Sequence, residues 1–352
     1  MKATKNILVV DLGGIGDLIL SIPFLRGIKK SFPDCSVSVL CAKRAGDLLL
    51  SQPYIDKIYP TDMSPMNLLH TSFQMRKNRF DLAVNLMPET SLYAATKMCI
   101  LFFLINAREW AGRNTEGRGF FYTIKILENK MQEENEVVLY GRLLRAIGGN
   151  NYDETLEFRI PQGLKLEAKK LLKNEAKNEH IPLSKPLIAV NPGSDWTSKR
   201  WPIERYGELL QRLHLKYPLA QFIILGTQKE INLASYLKNS VGKNIYILSG
   251  KTNLSMLPAL LQHTDLLITN DSGPSHIARA IGIPVVTLVG PGLPGYAKVR
   301  GRSESIVLQH PVACYPCLKR VCDDLRCWKS ISVDEVFEKV TMLLQRRAFV
   351  FE

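Results

Sequence analysis

The sequence predicts an α/β protein built from two doubly wound domains, and three observations carry that prediction. Short β-branched runs alternate with longer amphipathic stretches, the pattern of parallel strands joined by crossover helices. The alternation passes once through the first half of the chain and again through the second. At 352 residues the chain is too long for one compact core and suits two. Hydrophobic residues at 46% and charged residues at 22% supply enough apolar surface for both cores, which excludes wholesale disorder.

In the first half the strand candidates are Ile7 to Val10, Val37 to Leu40, Lys57 to Tyr59 and Leu82 to Asn85. In the second they are Leu187 to Asn191, Gln221 to Leu225, Ile245 to Leu248, Leu266 to Thr269 and Val285 to Val289. The expected domains are residues 1–160 and 187–330, joined by a linker over 161–186. Within it, Lys165, Lys169, Lys170, Lys173 and Lys177 interleave with Leu166, Leu171 and Leu172 at helical spacing and read as a solvated helix face. In the C-terminal segment 331–352, Ser332-Val333-Asp334-Glu335 reads as a capping box. The helix it opens places Val333, Val336, Phe337, Val340, Leu343 and Leu344 on one face, which is offered to the first domain.

The first residues run into only four apolar ones, Ile7 to Val10, before Asp11, too few for a secretory signal, so the chain is expected in the cytoplasm. Met98 to Ile105 is apolar all round and far shorter than the ~20 residues that span a bilayer. On a helix it is either buried or in contact with a membrane surface, and burial is the favoured reading. The net charge is +13, of which residues 1–160 carry +3 and residues 161–352 carry +10. Such a basic half suits an anionic lipid or a phosphorylated metabolite. Nucleic acid is not expected, because no zinc finger, RNP aromatic motif or Arg-rich arm is present.

Three strand-turn-helix segments carry the chemistry. In the first, Ile7 to Val10 lead into Asp11-Leu12-Gly13-Gly14-Ile15-Gly16-Asp17. This is not the dinucleotide fingerprint, because Ile19 stands where its last glycine belongs. Asp17 has two readings, a helix N-cap and a general base at the sheet edge. In the second, Asn191-Pro192-Gly193-Ser194 precedes Thr197-Ser198-Lys199-Arg200-Trp201-Pro202, where hydroxyls, amides and cations form a candidate phosphate cradle. In the third, Asn270-Asp271-Ser272-Gly273-Pro274-Ser275-His276 opens a helix whose N-terminus suits a diphosphate, with His276 able to hydrogen-bond it or neutralise it. Gly250-Lys251-Thr252 echoes the end of a P-loop, but Ile245 occupies the place of the first glycine.

Taken in order, Ile15-Gly16-Asp17, Lys199 to Pro202, Gly250-Lys251-Thr252 and Asn270 to His276 resemble the motifs of glycosyltransferase family 9, the lipopolysaccharide heptosyltransferases. The resemblance implies a GT-B fold, two Rossmann-like domains with a cleft between them, the first binding acceptor and the second a nucleotide sugar. It implies inverting transfer of a heptose, from ADP-heptose, to an acidic lipid A–Kdo acceptor, with no required cofactor and with peripheral contact at the inner face of the cytoplasmic membrane. Asp17 matches the family's catalytic base, and Gly13, Gly14 and Gly16 form the acceptor-side turn. Thr197, Ser198, Lys199, Asp271, Ser272, Gly273 and His276 fall where donor contacts cluster, and Glu230 matches an acid on the nucleoside ribose. Two departures stand out. Asp11 occupies a position that is usually basic or neutral, and Gly290-Pro291-Gly292-Leu293-Pro294-Gly295 replaces a loop that usually holds an acid. Transfer of another sugar, and non-catalytic binding of a nucleotide sugar or glycan, remain as alternatives.

Seven cysteines in a cytosolic chain argue against a disulfide framework. Cys314, Cys317, Cys322 and Cys327 form C-x2-C-x4-C-x4-C beside Lys319, Arg320 and Arg326, a candidate structural zinc or iron–sulfur site whose spacing departs from the paired arrangement.

Overall fold

Strand β1 (Asn6–Asp11) is apolar and buried on both faces from Ile7 onward, as the centre of a parallel sheet requires. It belongs to a computed structural model whose described residues are 6–128, 134–292, 301–315, 317 and 319–348. The chain divides into two units, one ending at Leu156 and the next starting at Glu157.

In the first unit β1 is followed by α1 (Ile15–Leu20), α2 (Ile22–Ser31), β2 (Ser36–Ala42), α3 (Lys43–Leu49), β3 (Lys57–Thr61), α4 (Pro65–Arg76) and β4 (Leu82–Asn85). Then come α5 (Leu92–Ile105), β5 (Glu109–Thr115), β6 (Ile124–Glu128) and α6 (Glu136–Ala146). The strands pair in parallel in the order β3-β2-β1-β4-β5-β6. Strand order reverses between β1 and β4, and ligands of such sheets collect at the carboxyl ends of those two strands.

The second unit contains α7 (Gln162–Asn178), β7 (Leu187–Asn191), α8 (Ile203–Lys216), β8 (Gln221–Ile224), α9 (Ile231–Val241), β9 (Ile245–Ile247), α10 (Leu257–Leu261) and β10 (Leu266–Asn270). It closes with α11 (Gly273–Ile281), β11 (Val285–Leu288), β12 (Ser305–Leu308), α12 (Arg326–Lys329) and α13 (Val333–Ala348). Its parallel order, β12-β11-β10-β7-β8-β9, repeats the winding of the first, so its reversal falls between β7 and β10. The residues read from the sequence as the phosphate cradle and the diphosphate turn follow those two strands.

Three sequence expectations are corrected here. The apolar face of α13 fills the second unit's own core, where Val333, Val336, Val340, Leu343 and Leu344 pack with Trp201, Leu209 and Trp328, so it is not left for the first domain. Helix α7, placed in the linker, belongs to the second unit, where Lys251 Nζ meets Glu175 Oε2 at 2.6 Å. Helix α5 is not buried all round: Leu101, Phe102 and Ile105 are core, while Leu92, Tyr93, Ile100 and Phe103 are exposed, Phe103 by 72%. Ser91 Oγ caps this helix by accepting the Ala94 amide at 3.1 Å. No helix among the described residues is long and apolar enough to cross a membrane.

Candidate functional site

At the carboxyl end of β1 the chain turns through Gly13 and Gly14 into α1. The helix begins at Ile15, so Asp17 stands at its third position rather than at the cap. From there its carboxylate reaches back, and Oδ2 accepts the Gly14 amide at 2.7 Å. Acidic charge in the first turn also suits the helix dipole. A Cβ at position 13 would lie 2.6 Å from that carboxylate, so only glycine lets the side chain fold over the turn. The N-cap expectation is thus corrected: Gly14 is the cap, and Asp17, two positions into the helix from Ile15, orders the turn as a half-buried carboxylate at the strand edge where ligands of such sheets collect.

Asp11, at the last position of β1, is buried, with Oδ1 accepting the Gly13 amide at 3.2 Å. Burial, reinforced by the charge of Asp17, pushes its carboxyl up to about 7. At the end of β4 stands a group that no local sequence signal disclosed. Glu89 Oε1 accepts the Tyr122 hydroxyl at 2.5 Å and an Asn85 amide N–H at 3.0 Å, all three residues buried. Burial raises the Glu89 carboxyl, and the two hydrogen bonds oppose the rise. Beside them Arg113 of β5 is buried between Glu128 and Glu136, its charge matched by two carboxylates.

In the second unit Asn270, at the end of β10, knits the reversal point together. Its Nδ2 donates to the carbonyl of Pro192 at 2.8 Å, while its Oδ1 accepts the Trp201 amide at 3.1 Å and the Tyr206 hydroxyl at 3.0 Å. This joins the loop after β7 and the Lys199–Pro202 segment to the turn that opens α11. Lys199 Nζ lies 2.9 Å from Asp271 Oδ2 and 5.3 Å from the centre of the Trp196 ring. Ser272 Oγ turns back to the Asn270 carbonyl at 3.2 Å and does not cap α11. A side chain that leaves the helix N-terminus uncapped favours an anion there.

Glu230 joins this cluster. Its Oε2 accepts the Thr227 amide at 2.7 Å and the Thr227 hydroxyl at 2.9 Å. Its other oxygen rests against Gly193 so closely that a Cβ there would come within 1.8 Å. The structure therefore brings Lys199, Glu230, Asp271, Ser272 and Gly273 to one reversal point.

Thr197, Ser198 and His276 depart from the roles expected of them. Thr197 Oγ1 donates to the Arg320 carbonyl at 3.3 Å and Ser198 Oγ to that of Lys319 at 2.6 Å, so both hydroxyls brace the cysteine-bearing segment. The Trp328 indole N–H holds the Ser198 carbonyl from the other side, at 2.6 Å. His276 is buried, and burial, aided by the positive charge of Arg279, pushes its imidazole down to about 3. The ring is neutral at physiological pH. A neutral ring of this kind can hydrogen-bond a phosphate.

Cys314, Cys317, Cys322 and Cys327 line one small cavity with Gly290 and Tyr315. Among the described residues, however, no group of three or more His, Cys, Asp or Glu side chains is placed to hold a metal ion, so the suggested metal site is not formed. Leu293 to Gly295, in the glycine-rich loop, lie outside the described residues.

A family model described as glycosyltransferase family 9 (heptosyltransferase) matches residues 70–327. Lipopolysaccharide heptosyltransferase 3 of Escherichia coli is 24% identical over 297 residues, covering 78% of this chain and 80% of the relative. The glycosyl transferase family 9 structure from Veillonella parvula DSM 2008 superposes with a TM-score of 0.79 at 21% identity, covering 98% and 99% of the two chains. The structure of E. coli ADP-heptose lps heptosyltransferase II gives 0.73 at 20% identity, covering 97% and 99%. At these identities the structural likeness establishes the fold, GT-B, with its two Rossmann-like units.

Proposed function

The chain belongs to glycosyltransferase family 9, and we propose from that premise that it is an inverting transferase moving a heptose from ADP-heptose to the inner core of a lipid A–Kdo acceptor. The observation that carries the reading is the cationic, amide-bearing reversal point of the second unit, where Lys199, Ser272 and Gly273 gather at an uncapped helix N-terminus. Such a pocket is suited to the charge that develops on a departing nucleoside diphosphate.

In the proposed reaction the Asp17 carboxylate takes the proton of an acceptor hydroxyl. That oxygen forms the new bond to the anomeric carbon, and the bond from that carbon to the diphosphate breaks with its electron pair leaving on the nucleotide. Lys199 and the α11 amides oppose the developing negative charge, each donor contributing on the order of 3 kcal/mol in a site that excludes water. Glu230 is suited to accept the ribose hydroxyls, and neutral His276 to donate a hydrogen bond to phosphate. No residue in this scheme needs a metal.

The acceptor is an acidic glycolipid, and the exposed Leu92, Tyr93, Ile100 and Phe103 of α5 support peripheral contact with the cytoplasmic face of the inner membrane. The test is incubation with ADP-heptose and a lipid A–Kdo acceptor, with product read by mass. Asp17→Ala is expected to abolish product while calorimetry shows nearly unaltered ADP affinity. Loss of ADP binding in that variant would instead assign Asp17 to turn structure alone.

A further inference from the structure

The Gly13–Gly14 turn holds two carboxylates, of which the mechanism above uses one. Asp17 Oδ2 takes the Gly14 amide at 2.7 Å and Asp11 Oδ1 takes the Gly13 amide at 3.2 Å. The remaining oxygen of Asp11 is buried without a hydrogen-bond partner, on a residue 1% exposed. An ionised carboxylate in that position is costly unless a cation or further donors meet it.

The groups around it supply little relief. Asp17 faces it from α1 and Glu136 from α6, both acidic. Cys41 of β2 and Tyr140 of α6 also feel its charge, and each is itself held protonated by burial. Ser21, between α1 and α2, donates its hydroxyl to the Leu18 carbonyl at 2.8 Å, and it and the Gly13 amide pull the Asp11 carboxyl down by less than burial and Asp17 push it up. Arg113 of β5 is committed to Glu128 and Glu136.

We propose that Asp11 is a positioning residue for transfer, a buried acid beside the Gly13–Gly14 turn whose loss of a proton makes Asp17 the stronger base. The proposal rests on the reading of Asp17 as that base. Two acids sharing a turn titrate as a pair, and their coupling is reciprocal: the charge of Asp17 raises Asp11, so the charge of Asp11 raises the basicity of Asp17. Asp11 passes nothing to the substrate. Its proton exchanges with water, while the acceptor's proton goes to Asp17 and the electron pair of the broken bond leaves with the nucleotide. Burial together with Asp17 pushes Asp11 up to about 7, which places the changeover within the working range of a cytoplasmic enzyme.

The test is the pH profile of kcat, with KM for the donor, from about pH 6 to 8 in wild type, Asp11→Asn and Asp17→Ala. Asparagine keeps the volume and the acceptor for the Gly13 amide but cannot ionise. Wild-type kcat is expected to climb roughly three- to ten-fold across this interval. Asp11→Asn is expected to stay flat, several-fold slower at the upper end, with the donor KM of wild type. Transfer by Asp17→Ala would remove the base reading and this proposal with it. An inactive Asp17→Ala beside an Asp11→Asn profile like wild type would overturn the role of Asp11 alone. If Asp11→Asn does not fold, infrared difference spectra of the wild-type chain between the same limits decide the matter. A protonated-carboxyl band that disappears at the upper limit supports the proposal, and its absence at the lower limit overturns it.

Discussion

Lys199 Nζ and Asp271 Oδ2 lie 2.9 Å apart although their residues are 72 positions apart in sequence, one on the loop after β7 and the other at the end of β10. The carboxylate orients the ammonium over the start of α11 without enclosing it, since the lysine side chain is 24% exposed.

Lys199→Met is therefore expected to lower kcat/KM by about a hundred-fold or more, the cost of one preorganised charge donor. Lys199→Arg should recover only part, because a planar guanidinium does not replace a point charge between Asp271 and Trp196. Steady-state kinetics with varied donor, beside calorimetry with ADP, measures both.

Gly193→Ala tests the seat of Glu230. A methyl group 1.8 Å from Oε1 must drive the carboxylate off the Thr227 amide and hydroxyl, at about 1 to 3 kcal/mol. A lowered melting temperature and weaker ADP binding are expected together. Lower stability with unaltered ADP affinity would remove Glu230 from the nucleoside contact.

Asp11 also sets a pH dependence of folding. Its proton is held to about 7 in the folded chain but is lost near 3.8 when unfolded. Between those values the folded chain binds more protons, so stability falls as pH rises, by about 4 kcal/mol at most over the whole interval. The stabilisation is complete below the unfolded value and gone above about pH 7. Asp11→Asn should accordingly resist urea better than wild type near pH 8, with the gap closing near pH 4.

The exposed side of α5 supplies a fourth expectation. Replacing Ile100 and Phe103 by glutamate leaves Leu101, Phe102 and Ile105 in the core, so folding should persist. The affinity for vesicles containing anionic phospholipid, read by co-sedimentation, should fall by a factor of about thirty or more, since each buried apolar side chain is worth roughly 2 kcal/mol.

The central strands were legible because β1, β7 and β10 are unbroken apolar runs, and their reversal points led directly to the turns that carry Asp17, Lys199 and Asp271. Strand β5 escaped notice because Glu109, Arg113 and Asn114 make it look polar. Arg113 is buried there only because Glu128 and Glu136 stand 15 and 23 positions away. Strands β6 and β12 lie at sheet edges, where short mixed sequences suffice. The Asn85–Glu89–Tyr122 set was hidden for the same reason as Arg113, since Tyr122 meets Asn85 from 37 positions away. That His276 is held neutral was not legible, because this follows from burial beside Arg279.

Ser198 is gripped from two directions, its hydroxyl by the Lys319 carbonyl and its own carbonyl by the Trp328 indole. The bend that aims Lys199 is thus moulded by a stretch of chain more than a hundred positions downstream. A protein cut short ahead of Lys319 would still spell out each pocket residue and yet lose the mould that shapes them. The tail is architecture for the anion, however remote it looks on paper.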